Sequence, residues 1–168
     1  MPGALMTASL LIATLTTGLL AGLFQSFVMS VMPGLARSSD RTFVEAMRRI
    51  NEAIINPWLF LVLFGSPVSS LVAAVLLFRD GSPAAVWTLA ALLLSVATFL
   101  ITAAANVPLN NALAASESMG GDDAPARARR SFERAWVRWN VARTMTSVAA
   151  FACLAWALIL HGAASTGA

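Results

Sequence analysis

Apolar residues occur along the chain in four long runs, and charged or turn-forming residues separate each run from the next. Each run has about 20 residues or more, which is enough for an α-helix to cross a hydrocarbon core of about 30 Å. The breaks contain Pro33-Gly34, Arg79-Asp80-Gly81-Ser82-Pro83 and Gly120-Gly121-Asp122-Asp123, which are typical of helix ends and turns. We therefore predict an all-α integral membrane protein whose four transmembrane helices form a bundle, at about residues 5–31, 57–78, 84–105 and 141–160.

A fifth helical pattern lies between the first two runs, at about residues 40–55. Apolar and charged residues there recur at helical spacing on opposite faces. The apolar face holds Phe43, Met47, Ile50 and Ile54, and the polar face holds Arg41, Glu45, Arg48 and Glu52. With Ser39 or Asp40 as its cap, this segment is predicted to be an amphipathic helix. It lies either on the inner membrane surface or as a lid over the inner mouth of the bundle.

Composition supports a membrane protein and excludes the usual soluble balance of residues. The chain of 168 residues is 58% hydrophobic and 11% charged, with a mean hydropathy of +0.77. Its length suits one bundle domain over residues 1–168. The single cysteine, Cys153, lies in an apolar run and is interpreted as a small buried hydrophobe.

The arginines predict the orientation of the bundle. Ten of the eleven positive residues, all arginine, lie on or beside the first and third connections, and only Arg79 lies in the second. The positive-inside rule then places those two connections in the cytoplasm and both termini outside. The absence of lysine suits a GC-rich bacterial genome, so we predict a multi-pass protein of the bacterial cytoplasmic (inner) membrane. Because these arginines flank membrane segments and alternate with acidic residues, we interpret them as contacts to lipid headgroups, and no nucleic acid partner is expected.

Two polar stripes interrupt the apolar pattern near the third connection. Thr102, Asn106 and Asn110 lie on one face of the third helix, and Trp136, Trp139, Asn140 and Arg143 lie on one face of the fourth. Polar groups at membrane depth need partners, because lipid offers none. Counting along the helices predicts that these residues reach the same depth, and that they line one inner-leaflet pocket. The full predicted set is Gln25, Asn51, Asn56, Asn106, Asn110, Trp136, Trp139, Asn140 and Arg143.

A purely structural interpretation of these stripes stays open. Tryptophans at a membrane boundary form the ordinary aromatic belt, and Arg143 can extend to lipid headgroups. Interior asparagines often bond only to neighbouring helices. The belt alone does not require Asn140 and Arg143 to share a face with tryptophan.

Four segments resemble the signature blocks of the anthrone-oxygenase-like family, a group of small four-helix membrane proteins from bacteria and fungi. They occur in the family's order and together extend over most of the chain, although Arg48 occupies a position where the family block has glutamine. The bacterial branch is the more similar one. The segments are FQSFVMSVMPGL from Phe24, FVEAMRRINEAIINPW from Phe43, NVPLNNAL from Asn106 and WVRWNVAR from Trp136.

The resemblance implies oxidation of anthrone-like phenolic or quinone-type molecules by molecular oxygen. An anthrone has an acidic carbon, and its anion reacts with oxygen directly, so the protein need only orient it and stabilise charge. Arg143 and Asn140 are then the expected catalytic residues, since they can hold an anionic oxygen. The implied substrate-binding residues are Asn106, Asn110, Trp136, Trp139, Gln25 and Asn51. The candidate proton acceptors are Glu45 and Glu133, because His161 lies at the opposite end of the fourth helix.

No cofactor and no metal are expected, because one histidine, one cysteine and scattered methionines do not supply a usual ligand set. A non-catalytic binder or carrier of a quinone-like or lipid molecule would use the same pocket. A structural membrane subunit would not need one. The expected partners are the lipid bilayer and a small apolar aromatic ligand, and a homo-oligomer stays open.

Overall fold

The computed structural model describes residues 2–116 and 121–166. Within them the chain is helical apart from turns, and no strand occurs. Four stretches are long and apolar enough to cross a membrane: Gly3–Ala36, Pro57–Arg79, Ala84–Ala115 and Ala124–Ala164. The predicted fold class is therefore confirmed. The helices are α1 (Pro2–Ser26), α2 (Met32–Ala36), α3 (Asp40–Ala53), α4 (Pro57–Arg79), α5 (Ala84–Ile101), α6 (Val107–Ala115) and α7 (Ala124–Thr166).

Two π-helical turns each join a pair of helices. They lie near prolines, where the sequence pattern predicts that a helix ends. Phe27–Val31 connects α1 to α2, and Thr102–Asn106 connects α5 to α6. Each turn precedes a proline, Pro33 or Pro108, which has no N–H and whose ring crowds the carbonyl one turn back. A wider turn relieves this crowding without ending the helix. The third membrane helix consequently continues past Pro108 to Ala115.

The helices α1, α4, α5 and α7 form a ring in which α1 and α5 each contact both α4 and α7. Small residues permit close approach, and a Cβ on Gly18 would lie 2.9 Å from the ring of Phe151. Buried hydroxyls join the helices: Thr17 lies 2.7 Å from Ser66, and Ser66 donates to Ser95 at 3.1 Å. These bonds satisfy polar groups that lipid could not.

The helix α7 has 43 residues, which corresponds to about 65 Å and exceeds the thickness of a hydrocarbon core. Its first turns therefore extend beyond the membrane. We call this side of the bundle, where α3 and the connections on either side of it also lie, the Arg-rich end. The arginines of α7 on this side are Arg127, Arg129, Arg130, Arg134 and Arg138.

The predicted amphipathic helix corresponds to α3, which begins after Ser39. The Ser39 side chain accepts a hydrogen bond from the N–H of Thr42 at 3.2 Å, as expected for a cap. Phe43 and Met47 are buried against the bundle, so α3 packs on α6 and α7. The helix α3 thus covers one end of the bundle, and its role as a lid on the cytoplasmic side stays a prediction.

Two arginines fasten α3 to the bundle. Arg129 of α7 donates to the carbonyls of Ala36 and Ser38 and forms an ion pair with Asp40 at 3.0 Å. Arg48 belongs to the predicted polar face of α3, but it turns toward α6 because carbonyl and hydroxyl acceptors are available there. The polar side of α3 retains an exposed ion pair between Arg49 and Glu52.

Candidate functional site

A cavity of about 220 Å³ lies at the Arg-rich end, beneath α3. An apolar cavity of about 150 Å³ already accommodates a molecule the size of benzene. The space is therefore sufficient for a small aromatic ligand. Five parts of the chain contribute to its walls: Phe24 and Phe27 from α1 and the first π-turn; Arg48, Asn51 and Glu52 from α3; Ile54, Ile55 and Leu59 from the connection after α3 and the first turn of α4; Thr102, Asn106, Val107, Asn110, Asn111 and Ala114 from the second π-turn and α6; and Trp136 and Arg143 from α7.

Arg143 provides a buried positive charge on the cavity wall. Its side chain is 7% exposed, and Nε and Nη2 both donate to Oδ1 of Asn140, at 3.0 and 2.9 Å. The guanidinium lies 4.0 Å from the centre of the Phe24 ring and 5.3 Å from that of Trp136. Among the described residues no carboxylate pairs with it, and Nη1 donates to none of them. The cation is thus held in position but not neutralised.

Asn140 supports Arg143 from behind. The asparagine is 1% exposed, and its Nδ2 donates to the carbonyl of Phe24 at 3.4 Å. Its side chain is not part of the cavity wall, and it lines a shallower groove between the first π-turn, α2 and α7. Asn140 therefore orients the guanidinium from outside the cavity.

Trp136 is the largest buried aromatic side chain on the cavity wall. Its indole N–H donates to Oδ1 of Asn110 at 2.8 Å. The Phe27 ring centre lies 5.4 Å away and the Phe132 ring centre 5.9 Å away. Because the ring is fixed by a hydrogen bond and two aromatic contacts, Trp136 forms a rigid flat surface beside Arg143.

Two amide atoms beside the cavity are buried without a hydrogen-bond partner among the described residues. Asn106 is fully buried, and while its Nδ2 donates to the carbonyl of Trp136 at 3.4 Å, its Oδ1 is unpaired. The Nδ2 of Asn51 is likewise unpaired. Buried polar atoms are usually satisfied, so these two exceptions require an explanation.

The π-turns contribute to this geometry. Phe27 belongs to the first turn, and Thr102 and Asn106 belong to the second. A π-turn accommodates one residue more than an α-helical turn, so it rotates the following residues around the helix axis. Both turns thereby help to set which residues reach the cavity.

Besides Asn140, three residues of the predicted set lie apart from the cavity wall. Trp139 is 38% exposed, and the guanidinium of Arg138 lies 5.6 Å from its ring centre. Gln25 is half-buried on α1, next to Phe24. Asn56, which the depth argument also placed in the pocket, caps α4 instead: its Oδ1 accepts from the N–H groups of the second and third following residues, at 3.0 and 3.2 Å.

The two predicted proton acceptors also lie elsewhere. Glu45 is exposed on α3, and Glu133 faces the shallow groove and pairs with Arg129 at 2.7 Å. Of the carboxylates in the described part of the chain, Glu52 is the one on the cavity wall. No group of three or more His, Cys, Asp or Glu side chains in that part is arranged to hold a metal ion.

Sequence reasoning missed several wall residues. Arg48 lines the cavity while Nε donates to the carbonyl of Leu113 and Nη2 to Oγ of Ser116, at 3.0 and 2.9 Å. Its position inside a quoted signature block was the available signal. Phe24 and Phe27 lie in another block, but the sequence pattern does not distinguish them from the other apolar residues of the first helix.

These features define a class of protein: a multi-pass helical membrane protein with an apolar, aromatic cavity at one end, in which one arginine is buried without an acidic partner in the described part of the chain. Residues 58–153 match the family model described as anthrone oxygenase. The chain belongs to that family, which confirms the family resemblance, while the similarity to its bacterial branch stays a prediction. No curated protein and no solved structure matches the chain.

Proposed function

We propose that this protein is a membrane-embedded, cofactor-independent oxygenase that oxidises flat, anthrone-like phenolic or quinone-type molecules in the cavity beneath α3. The observation that carries the proposal is Arg143, a buried cation without a carboxylate partner among the described residues, on an aromatic cavity wall. Burying a charge in this way is costly unless an anion balances it. Family membership supports the same reaction class.

A fixed cation suits the intermediate of such a reaction. When an anthrone loses a proton from its CH₂ carbon, the negative charge spreads through the rings to the carbonyl oxygen. Arg143 would stabilise that oxygen, because charges interact more strongly in a water-poor site than in water. Trp136 and Phe24 would pack against the ring faces and hold the molecule flat.

The proposed reaction balances without a further oxidant. A C–H proton leaves to a base, for which Glu52 is the carboxylate on the cavity wall. The carbanion then forms a C–O bond with molecular oxygen, which is reduced to a peroxide anion. Protonation gives a hydroperoxide, and loss of the second hydrogen with cleavage of the O–O bond yields the quinone carbonyl and one water molecule. Arg143 would stabilise both the enolate and the peroxide anion.

We further propose that the Arg-rich end faces the cytoplasm of a bacterial inner membrane. The arginine distribution supports this orientation through the positive-inside rule. The cavity would then lie near the inner leaflet, where an apolar aromatic substrate concentrates.

The test is oxygen uptake by protein purified metal-free in detergent, with an anthrone as substrate and protein-free micelles as the blank. Arg143→Met should reduce the rate about 100-fold or more, as expected when a charge-stabilising donor is lost. Arg138→Met is the matched control, since it removes an exposed arginine from the same helix. Full activity of Arg143→Met, with an unfolding curve like that of the parent, would contradict the proposal.

A non-catalytic binder or carrier is the second candidate, and one observation favours it. The wall carboxylate, Glu52, is largely exposed, with 67% of its side chain accessible, and pairs with Arg49. Such a carboxylate is a weak base for a carbon acid. Binding of the anthrone without oxygen uptake would identify a carrier.

A further inference from the structure

The inference concerns the two unpaired amide atoms beside the cavity, Oδ1 of Asn106 and Nδ2 of Asn51. Three side-chain atoms of the described residues are buried without a partner, and two of them belong to residues on this one wall. An unsatisfied buried polar atom costs free energy comparable to a hydrogen bond. Their occurrence together indicates that the cavity is shaped for a ligand that supplies the missing partners.

The chemical character of the unpaired Asn106 atom is determined by its surroundings. The Nδ2 of Asn106 faces the Trp136 carbonyl, which can only accept, so the other amide atom must be the oxygen. Asn106 therefore presents an acceptor to the ligand. Asn51 presents a donor through its Nδ2. The wall thus combines one free acceptor and one free donor with the Arg143 cation.

We infer that Asn106 and Asn51 determine ligand specificity, with Asn106 accepting a hydrogen bond from a hydroxyl of the ligand and Asn51 donating to a carbonyl oxygen. The inference rests on the proposed class of flat aromatic ligands, and it specifies which substituents that ligand carries. It does not require turnover. A ring without a hydroxyl leaves the Asn106 oxygen unsatisfied, and a ring without a carbonyl leaves the Asn51 donor unsatisfied.

The test measures binding of three compounds that differ in one group at a time: 2-hydroxyanthraquinone, anthraquinone, which lacks the hydroxyl, and 2-hydroxyanthracene, which lacks the carbonyls. Titration calorimetry of detergent-purified protein, at a pH that keeps the hydroxyl protonated, gives the affinities, and empty micelles correct for partitioning. The parent protein should bind each of the two incomplete compounds about tenfold more weakly than 2-hydroxyanthraquinone.

Leucine variants then assign each preference to one residue. Asn106→Leu should erase the preference for 2-hydroxyanthraquinone over anthraquinone and keep the preference over 2-hydroxyanthracene. Asn51→Leu should do the reverse. Gln25→Leu is the matched control, because it removes an amide beside Phe24 that is not part of the cavity wall.

The ratios separate recognition from structural damage. A variant that only disturbs packing weakens all three compounds together and leaves both ratios unchanged, which would overturn the inference. Equal binding of the three compounds by the parent, or no binding of any, would also overturn it. If the parent protein shows no oxygen uptake, but each leucine variant erases its own binding preference and keeps the other, the oxygenase proposal is refuted and this inference is supported.

Discussion

Loss of Asn140 should lower the free energy of unfolding more than loss of Arg143, the arginine that it holds. The guanidinium of Arg143 makes both of its hydrogen bonds to one atom, Oδ1 of Asn140. Asn140→Leu removes that acceptor and leaves a cation that is 7% exposed without any hydrogen-bond acceptor among the described residues. Arg143→Met removes the cation and leaves only a neutral amide oxygen unpaired.

The magnitudes of the two changes differ for this reason. Removing the acceptor of a buried charged donor costs more than leaving a neutral group unsatisfied, and an unsatisfied neutral acceptor costs about 1–3 kcal/mol of unfolding free energy. The cation–π contacts of Arg143 with Phe24 and Trp136 persist in Asn140→Leu and so do not offset its cost. Arg143→Met loses them, at about 2 kcal/mol when desolvated, but it also removes the cost of burying the charge. The double variant contains neither the charge nor the unpaired oxygen, so it should be more stable than Asn140→Leu alone.

The free energy of unfolding is measured for four proteins: the parent, Asn140→Leu, Arg143→Met and the double variant. The method is reversible unfolding in mixed micelles, followed by circular dichroism. The expected order of stability places Asn140→Leu lowest, with the double variant above it. Additive effects, in which the double variant loses the sum of the two single losses, would refute the reasoning. That result would mean that water in the cavity hydrates the guanidinium, so that Asn140 is not its necessary partner.

Two further predictions concern α3 and the orientation of the bundle. Arg48→Met should loosen α3 from the end of α6 at a cost of about 1–3 kcal/mol, because it removes the two hydrogen bonds that Arg48 donates there. Amide hydrogen exchange should become faster in α3 and stay unchanged in α4. Equal protection of α3 in the parent and the variant would contradict this role. In a Cys153→Ala background, cysteines at the exposed positions Glu45 and Asp80 should react with an impermeant maleimide from opposite sides of the membrane, Asp80 from outside. If the cysteine at position 80 is labelled only from the inside, the predicted orientation is wrong.

Much of the site could be predicted because helical periodicity is a local property. Asn106 and Asn110 share a face of their helix, as do Trp136 and Arg143, and all four line the cavity. The spacing of these residues requires no knowledge of the remainder of the chain.

The roles of neighbouring residues could not be predicted in the same way. Adjacent helix positions differ by about 100°, so Trp139 and Asn140 face different surroundings although they were assigned to one stripe. Trp139 is partly exposed, and Asn140 supports Arg143 from behind the wall. Which sector of α7 faces the cavity depends on how α1 and α5 pack against it.

The sequence by itself determined the number of membrane helices, the amphipathic character of α3 and the polar stripes, because each depends on the order of apolar and polar residues within one segment. Only the tertiary structure decided which polar atoms are paired. The turn of Arg48 toward α6 and the unpaired oxygen of Asn106 depend on acceptors and donors from distant segments. The two π-turns add a rotation that a regular helical period does not contain. The cavity wall is built from residues of α1, α3, α6 and α7 that come together only in the folded bundle.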